Sequence, residues 1–335
     1  MVKVTLKDVA KEAGVSAMSV SKALNNKPGV SDETRQRILE VAQKMQYTQN
    51  LVARSLRVDE TKTIGVVLSD CSELVANKVL RGIQDVASKQ GYSVILSNTD
   101  HNAEAERVAA QTLISKRIDG LILVAPQLFS NEDIAWLQGF GVPFVLLMRQ
   151  NGQATIDTII NDNYLGGYQT MEHLIGVGCK SFAFLLLRNS IISQERLNGY
   201  RQAMHDYKID DKNCIFAEVK PFYEEGISAV NSMMDEIRKC DAVVCACDAV
   251  AIGAMSALLD AGLRIPQDIS ITGYDGVDFC KYLRVPLTTV AQPLYEIGYQ
   301  GTEVLLDRIK YPQSPVRKLV LKSELIVRES SSKGK

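Results

Sequence analysis

Three short segments at the start of the chain carry apolar residues at the three- and four-residue spacing of amphipathic helices. The first begins after Thr5, a good N-cap residue, and stops at Gly14. Ser16 caps the second segment, AMSVSKALNN, and Ser31 opens the third, SDETRQRILEVAQKMQY. Two short helices joined by a tight glycine-containing turn predict a helix-turn-helix, here completed by a third helix.

A different pattern begins at Thr63, where β-branched apolar runs alternate with helical stretches of about 15 residues. This alternation is typical of parallel sheets with helices on both faces. After VPFVLLM the pattern restarts at NDNYLGGYQTMEHLIGVG, which predicts two doubly wound halves of similar size. The strands are predicted at TIGVVLS, SVILSN, IDGLILVA, VPFVLLM, SFAFLLL, DAVVCAC, ISITGYD and KSELIVRES.

Charge is divided unevenly along these 335 residues, although the formal net charge is only -1. Residues 1–57 carry a net +5 and the remainder -6. A basic head on an acidic body favours a polyanion as the partner of the head. The hydrophobic fraction of 46% is that of a globular protein, and no apolar run is long enough to span a bilayer. Because the N-terminus is too charged for a signal peptide, we expect a cytoplasmic location and no membrane partner.

Seven cysteines lie in apolar surroundings and are predicted to be reduced, buried thiols. The cluster CDAVVCACD is predicted to be a buried strand, since zinc pairs usually sit two to four residues apart and need a second pair. No GxGxxG, GxxxxGK[ST] or GxSxG motif occurs, so neither a nucleotide enzyme, a hydrolase nor a cofactor is expected. An enzyme that uses Cys71 or Cys247 is the alternative, and it would need a thiolate beside a base.

The second predicted helix has side chains that suit base readout. Ala17 and Met18 at its start, with Lys22 one turn further on, are placed to reach base edges in the major groove. Lys22 can donate to guanine acceptors, and the methyl groups of the other two can contact thymine methyls. Any three-helix bundle would show the same periodicity, so the positive charge is what favours DNA.

Polar residues follow several predicted strands of the body. Ligands bind outside the carboxyl ends of parallel strands, and two such sheets form a cleft between them. We therefore expect a binding cleft lined by strand-end side chains. These are Asp70, Arg149, Arg188, Asp248 and Asp275.

The segment TLKDVAKEAGVSAMSVSKALNNKPGVSDETRQRILEVAQKMQY, followed by NLVARSL and TKTIGVVLSD, resembles the LacI/GalR family of bacterial transcription regulators. The similarity continues through TGYDG, LTTVAQP and LIVRES. It implies a homodimer on a pseudo-palindromic double-stranded operator, controlled by a small-molecule effector, a sugar or related metabolite. It also implies α + α/β architecture with two periplasmic-binding-protein-like subdomains. The expected boundaries are a head at 1–57, a linker at 58–63, a first subdomain at 64–161 plus 293–320, and a second at 162–292 plus 321–335.

The resemblance also assigns roles to single residues. In the family a short hinge helix follows the bundle and wedges a leucine into the minor groove, which implies a helix at 50–56 with Leu56 as the wedge. The alternative for Leu56 is a linker residue that covers the body. The implied DNA contacts are Thr5, Ser16, Ala17, Met18, Ser19, Ser21, Lys22, Asn25, Ala53 and Leu56, and the implied effector contacts are Asp70, Arg149, Arg196, Phe222, Cys247, Asp275 and Gln292.

Two of the effector contacts have ordinary alternatives. Arg196 can hold sugar hydroxyls or an acidic ligand with its guanidinium fork, or it can pair with Glu195 or Asp206. Gln292 can line the cleft floor or act only as a hinge residue with a backbone hydrogen bond. The terminal SSSKGK carries no leucine heptad, so a dimer is expected and not a tetramer.

The chain departs from the family pattern at several positions. Ser19 and Lys22 stand where Thr and Arg are usual, and Gln49 replaces a proline. Because lysine gives a point charge in place of a bidentate fork, base discrimination at Lys22 is expected to be looser. In the body, Cys247 replaces a ligand-binding asparagine and Met148 an aspartate. The first strand is followed by Glu73, Leu74, Val75 and Ala76 instead of an asparagine-proline and two aromatics, which leaves Phe222 or Tyr223 as the aromatic wall.

The cleft is therefore expected to be less polar than a hexose site. This keeps two further alternatives open: a regulator that answers to a protein partner, and a cytoplasmic solute-binding protein. The basic head and the lack of an export signal argue against the second.

Overall fold

The protein forms two compact units, Met1–Thr61 and Lys62–Lys335. The implied hinge helix at 50–56, with Ala53 and Leu56, lies outside the described residues. The computed structural model describes residues 4–47, 60–127, 130–149, 155–188 and 190–332.

The first unit is a three-helix head. Its core consists of small and β-branched side chains, among them Val9, Val20 and Ile38, each fully buried. Its helices are α1 (Leu6–Ala13), α2 (Ala17–Leu24) and α3 (Asp32–Lys44).

Local chemistry sets the ends of these helices. Thr5 and Asp8 form a capping box at the start of α1, and Gly14 ends that helix in the left-handed region at φ 65°. Ser16 and Ser31 cap α2 and α3 by accepting hydrogen bonds from backbone amides. The predicted helix-turn-helix is confirmed.

The body begins with alternating strands and helices that build the first subdomain. The bounds are β1 (Thr63–Leu68), α4 (Ala76–Lys89), β2 (Ser93–Asn98), α5 (Ala103–Ser115), β3 (Gly120–Val124), α6 (Asn131–Gln138), β4 (Phe144–Leu147) and β5 (Asp157–Asn161).

The second subdomain repeats the same plan. Its elements are α7 (Asn163–Gly176), β6 (Phe182–Leu187), α8 (Ile191–Asp206), β7 (Cys214–Val219), α9 (Tyr223–Ser232), α10 (Met234–Ile237), β8 (Ala242–Cys245), α11 (Asp248–Asp260), β9 (Ser270–Asp275) and β10 (Thr288–Ala291).

The chain then crosses between the subdomains twice more. Helix α12 (Leu294–Lys310) packs on α4, and β11 (Lys318–Leu321) joins β5 in the first sheet. Strand β12 (Glu324–Ile326) pairs antiparallel with β10 in the second sheet. The first sheet has the order β11-β5-β4-β3-β1-β2 and is parallel throughout, and the second has the order β12-β10-β9-β8-β6-β7.

The predicted fold class is confirmed, and each of the eight predicted strand segments contains a strand. Four further strands were not predicted: β5, β7, β10 and β11.

Asp157 anchors the crossing segments on the side of the first sheet. Its buried carboxylate accepts hydrogen bonds from Arg308 Nε at 2.8 Å and Nη2 at 3.0 Å. It also accepts one from the backbone N–H of Arg317 at 2.8 Å. One side chain at the start of β5 thereby holds the end of α12 and the approach to β11.

The environments of the cysteines differ from the prediction in one clear case. Five are buried and Cys214 is half-buried, but Cys71 is exposed, because it lies in the loop after β1. The CDAVVCACD segment forms the buried strand β8, as predicted. The described residues contain no group of three or more side chains that could hold a metal ion. Within the same ranges, no helix is both long and apolar enough to cross a membrane.

Candidate functional site

The outward side of α2 carries the residues that the sequence assigned to base readout. Met18 is 70% exposed, more than any other large non-aromatic apolar side chain among the described residues, and Ala17 beside it is also exposed. An exposed apolar pair at a helix start fits contact with thymine methyls. All the described DNA candidates are at least partly exposed: Thr5, Ser16, Ala17, Met18, Ser19, Ser21, Lys22 and Asn25.

Several of these candidates also shape the helices. Thr5 Oγ1 donates to Asp8 at 2.6 Å, and the hydroxyls of Ser16 and Ser19 lie 2.9 Å apart. Asn25 Nδ2 donates to the carbonyl of Ser21 at 2.7 Å. Such side chains fix the helix ends in the free protein and stay exposed enough to reach a phosphate or base.

Arg35, on α3, supports the C-terminal end of α2 and was missed by the sequence analysis. Its guanidinium donates to the carbonyl of Ala23 at 3.1 Å and to that of Lys27 at 2.8 Å. A cation there also complements the helix dipole. Apolar periodicity could not find this residue, because its function is to bond backbone carbonyls of another helix.

We expect Arg35→Met to lower the free energy of unfolding of the head by about 1.5 to 3 kcal/mol, because hydrogen bonds from a charged donor are lost. Thermal unfolding would measure this loss of stability, and amide exchange of the 17–27 peptide would show whether it affects the end of α2. Arg37→Met is the matched control, since Arg37 is exposed on the same helix. Equal stability of the two variants would contradict this role.

In the body, a cavity of about 190 Å³ lies between the two subdomains, at the carboxyl ends of both sheets. Its walls are mainly apolar. The first subdomain contributes Ser72, Glu73, Leu74, Val75, His101, Ala125, Met148 and Arg149, and the remaining lining residues are Leu187, Ser190, Ile192, Arg196, Pro221, Phe222, Tyr223, Cys247, Ala249, Asp275 and Gln292.

Arg196, on α8, is held rigidly beside this cavity and is only 4% exposed. Its Nε donates to Asn163 Oδ1 at 3.0 Å and its Nη1 to the carbonyl of Ala246 at 2.6 Å. The guanidinium stacks on the Tyr274 ring, 3.4 Å from its centroid. The alternative pairing with Glu195 or Asp206 is therefore wrong. Within the described residues Nη2 has no hydrogen-bond partner, so one donor group is left for a ligand.

A close helix–helix contact sets the position of Arg196. A Cβ on Gly167 of α7 would lie 2.3 Å from the carbonyl oxygen of Arg196, and one on Gly199 would lie 2.1 Å from that of Tyr164. These two glycines let the backbones of α7 and α8 touch. Residue 196 is thereby placed next to Asn163, the first residue of α7.

Asp275 and Gln292 form the floor of the cavity. Gln292 Nε2 donates to Asp275 Oδ1 at 2.6 Å, and the Gln292 backbone N–H donates to the Asp275 carbonyl at 3.1 Å. Gln292 Oε1 is buried and has no partner in the part of the chain that the structure describes. Burial, and next the neighbouring Asp248, raises the pKa of Asp275 well above its usual range.

Three residues that were predicted to line the cleft because they follow strands do not line the cavity. Asp70 does not line it, because its carboxylate accepts the Ser72 backbone N–H at 2.8 Å within its own loop. That hydrogen bond also lowers the pKa of Asp70. Asp248 is fully buried beneath the floor, and Arg188 lies on the surface beside Glu218, 3.5 Å away.

The other predicted contacts lie where the sequence placed them. Arg149, Arg196, Phe222, Cys247, Asp275 and Gln292 all line the cavity. Tyr223, the alternative aromatic wall, lines it together with Phe222. Burial raises the pKa of the Cys247 thiol, which keeps it protonated and argues against a nucleophilic thiolate there.

His101 is a lining residue that sequence reasoning missed. It follows β2, and its Nε2 lies 2.9 Å from Glu73 Oε1. That hydrogen bond raises the pKa of His101, which favours the charged pair. The strand-end rule that selected Asp70 could have found it, since His101 comes three residues after the end of β2.

A helix-turn-helix head joined to a body with a cavity between two α/β subdomains defines a DNA-binding regulator that responds to a ligand. The family model for bacterial regulatory proteins of the lacI family matches residues 5–50, and the model for a periplasmic binding protein-like domain matches residues 171–331.

Two characterised relatives match nearly the whole chain. The ribose operon repressor of Haemophilus influenzae is 35% identical over 328 residues, covering 97% of this chain and 98% of the relative. The transcriptional repressor PurR of Vibrio vulnificus is 32% identical over 330 residues, covering 98% and 99%. The chain belongs to the lacI family of bacterial regulatory proteins.

Solved structures agree with this assignment. The lac repressor dimer bound to operator and the anti-inducer ONPF has a TM-score of 0.89 at 28% identity, covering 98% of this chain and 99% of that one. A LacI family regulator from Enterococcus faecium with bound ribose has a TM-score of 0.75 at 30% identity, covering 82% and 100%. The predicted family, and with it a DNA-binding transcription regulator, is confirmed.

Proposed function

We propose that the protein is a cytoplasmic, dimeric repressor and not an enzyme, whose affinity for a pseudo-palindromic operator is set by a monosaccharide in the body cavity. D-Ribose is the first candidate. The observation that supports this is the polar cluster of buried Arg196, half-buried Asp275 and buried Gln292, which retains a donor and an acceptor without partners among the described residues.

The chemistry of this cluster suits vicinal hydroxyls. A hydroxyl both donates and accepts, so one can take the Arg196 Nη2 donor while donating to a carboxyl oxygen of Asp275. A second can donate to Gln292 Oε1. Gln292 Oε1 is a buried polar atom without a partner among the described residues, which costs about 1 to 3 kcal/mol, and a polyol that satisfies it recovers this cost on binding.

The choice of ribose comes from the relatives. One is named a ribose operon repressor and another was solved with bound ribose. The lining of the cavity agrees in size and chemistry with a small polyol, with Phe222 and Tyr223 available to face an apolar side of a sugar ring.

The same cavity suits control of domain closure, because its walls come from both subdomains. A ligand that bonds Arg149 on one side and Arg196 on the other favours their closed arrangement. Lys78 of α4 already bridges the subdomains, with Nζ 3.0 Å from Asp278 Oδ1. Coupling of about 1 to 3 kcal/mol between the cavity and the operator is the usual range for such regulators.

The test is a thermal-shift panel on the full-length protein with D-ribose, D-glucose, ribose 5-phosphate and adenine. A ligand at 100 times its Kd adds about 2.7 kcal/mol of stability and should raise Tm by several degrees. We expect D-ribose to give this shift and Asp275→Asn to abolish it, because one acceptor oxygen of the carboxyl group is replaced by an NH2 donor.

Asp70→Asn is the matched control, since Asp70 lies outside the cavity lining. A Tm unchanged by every compound, in a protein that still selects a palindrome from random DNA, would contradict the sugar proposal. It would favour the alternative of a protein partner.

A further inference from the structure

We propose that Asp248, which does not touch the cavity, is the positioning residue of the effector contact Asp275. It acts through Thr289 and two backbone amides, which hold the turn Asp275–Val277 in the conformation that presents the Asp275 carboxylate. The inference rests on the role of Asp275 in the proposed function.

A short hydrogen-bond network joins Asp248 to this turn. Asp248 is the first residue of α11 and is fully buried. Its Oδ2 accepts the backbone N–H of Val277 at 2.9 Å, and its Oδ1 accepts the hydroxyl of Thr289 at 2.5 Å. The Thr289 oxygen in turn accepts the backbone N–H of Gly276 at 3.2 Å. Both amides that follow Asp275 are thus tied, one directly and one through a hydroxyl, to one carboxylate.

The turn needs such support because its backbone is strained. Asp275 has a φ of 128°, in the region that favours glycine, and Gly276 follows at 71°. A residue with a side chain keeps this conformation only when its surroundings impose it. On the other side of the turn, the backbone N–H of Gln292 holds the carbonyl of Asp275. Without the Asp248 network only the two hydrogen bonds from Gln292 would hold the turn and its carboxyl group.

A carboxylate is the side chain that this position requires. The hydrogens of the Val277 amide and the Thr289 hydroxyl both point at it, so an acceptor without hydrogens of its own satisfies them together. Thr289 donates its hydroxyl hydrogen to Asp248 while its oxygen accepts the Gly276 backbone N–H, so it serves as a relay. Burial raises the pKa of Asp248 to about 6, and the hydrogen bonds from Thr289 and Val277 oppose this rise because they favour the ionised acceptor.

Thr289 offers a sharper test than Asp248, because removal of a buried carboxylate can unfold the subdomain. Thr289→Val keeps the shape of the side chain and removes only the relay hydroxyl. Thr289→Ser retains the hydroxyl. The matched control is Thr272→Val on the adjacent strand β9: Thr272 is equally buried, but its hydroxyl has no partner among the described residues.

Two readouts are needed: amide exchange of the 275–280 peptide in the free protein, and calorimetric affinity for D-ribose. We expect Thr289→Val to accelerate exchange in this peptide and to weaken D-ribose binding about tenfold or more. Thr289→Ser should stay within about threefold of the wild type in both readouts, and so should Thr272→Val.

If Thr289→Val showed the same amide exchange and the same D-ribose affinity as the wild type, the proposal would be overturned. Equal losses in Thr289→Ser and Thr289→Val would overturn it too, since side-chain packing and not the hydroxyl would then hold the turn. Absence of D-ribose binding by the wild type would instead count against the proposed sugar, and the exchange comparison would still decide whether the network holds the turn.

Discussion

Arg196→Met should weaken effector binding by about 30-fold or more and abolish the response of the operator complex to the effector. Arg196 is buried with its guanidinium fixed by Asn163 and the Ala246 carbonyl, so its remaining Nη2 meets a ligand already oriented. Loss of one partner of a buried, charged hydrogen bond costs about 2 to 5 kcal/mol. Methionine fills similar space, but it can replace neither the charge nor the fork.

Calorimetry with D-ribose measures this effect, and circular dichroism checks that the variant is folded. Arg201→Met is the control, because Arg201 is exposed on the same helix, α8. An Arg196→Met protein that binds D-ribose with near wild-type affinity would show that the cluster of Arg196, Asp275 and Gln292 is not the effector site.

Asp157→Ala should lower the free energy of unfolding of the body by about 3 to 5 kcal/mol, the largest stability effect that we expect from a single substitution. The buried carboxylate bonds the Arg308 guanidinium twice and the Arg317 backbone once. Its removal leaves a cation that is 14% exposed without its carboxylate partner, and such a broken pair is costly. Chemical denaturation with urea gives the value directly.

Asp307→Ala is the contrasting variant. Asp307 also pairs with an arginine, Arg317, at 3.0 Å, but its side chain is 58% exposed. Exposed pairs contribute about 0 to 1 kcal/mol. A similar decrease in the free energy of unfolding in both variants would mean that Asp157 does not anchor the crossing segments.

The helical head and most strands of the two sheets could be predicted from the sequence, because continuous apolar runs are typical of buried parallel strands. It missed strands whose signal is not local. Strand β7 lies at a sheet edge and alternates half-buried with exposed positions, and β11 is an edge strand that begins with an exposed lysine. Strand β5 is buried throughout, yet it begins at Asp157 and ends at Asn161. Arg308, distant in sequence, bonds Asp157, and Asn161 donates to both its neighbour Asn163 and the distant Ser323.

The residues that line the cavity could also be predicted only in part. The strand-end rule selected Arg149 and Asp275, which line the cavity, but it also selected Asp70, Asp248 and Arg188, which do not, and it missed His101. The two acidic residues that miss the cavity are bonded elsewhere by the residues around them. Asp70 accepts a hydrogen bond from a backbone amide two residues later, whereas Asp248 lies beneath the cavity floor and accepts one from Val277. The pairing of Gln292 with Asp275 joins two different strand ends and has no sequence signal.

The measurement that tests the central claim most directly is operator affinity with and without effector. A palindrome selected by the full-length protein from random DNA would be titrated by fluorescence anisotropy, with D-ribose absent and saturating, for the wild type and Arg196→Met. We predict a change of about 5- to 150-fold in the wild type and none in the variant. Equal wild-type affinities at a D-ribose concentration that saturates the cavity would contradict control of DNA binding from this site.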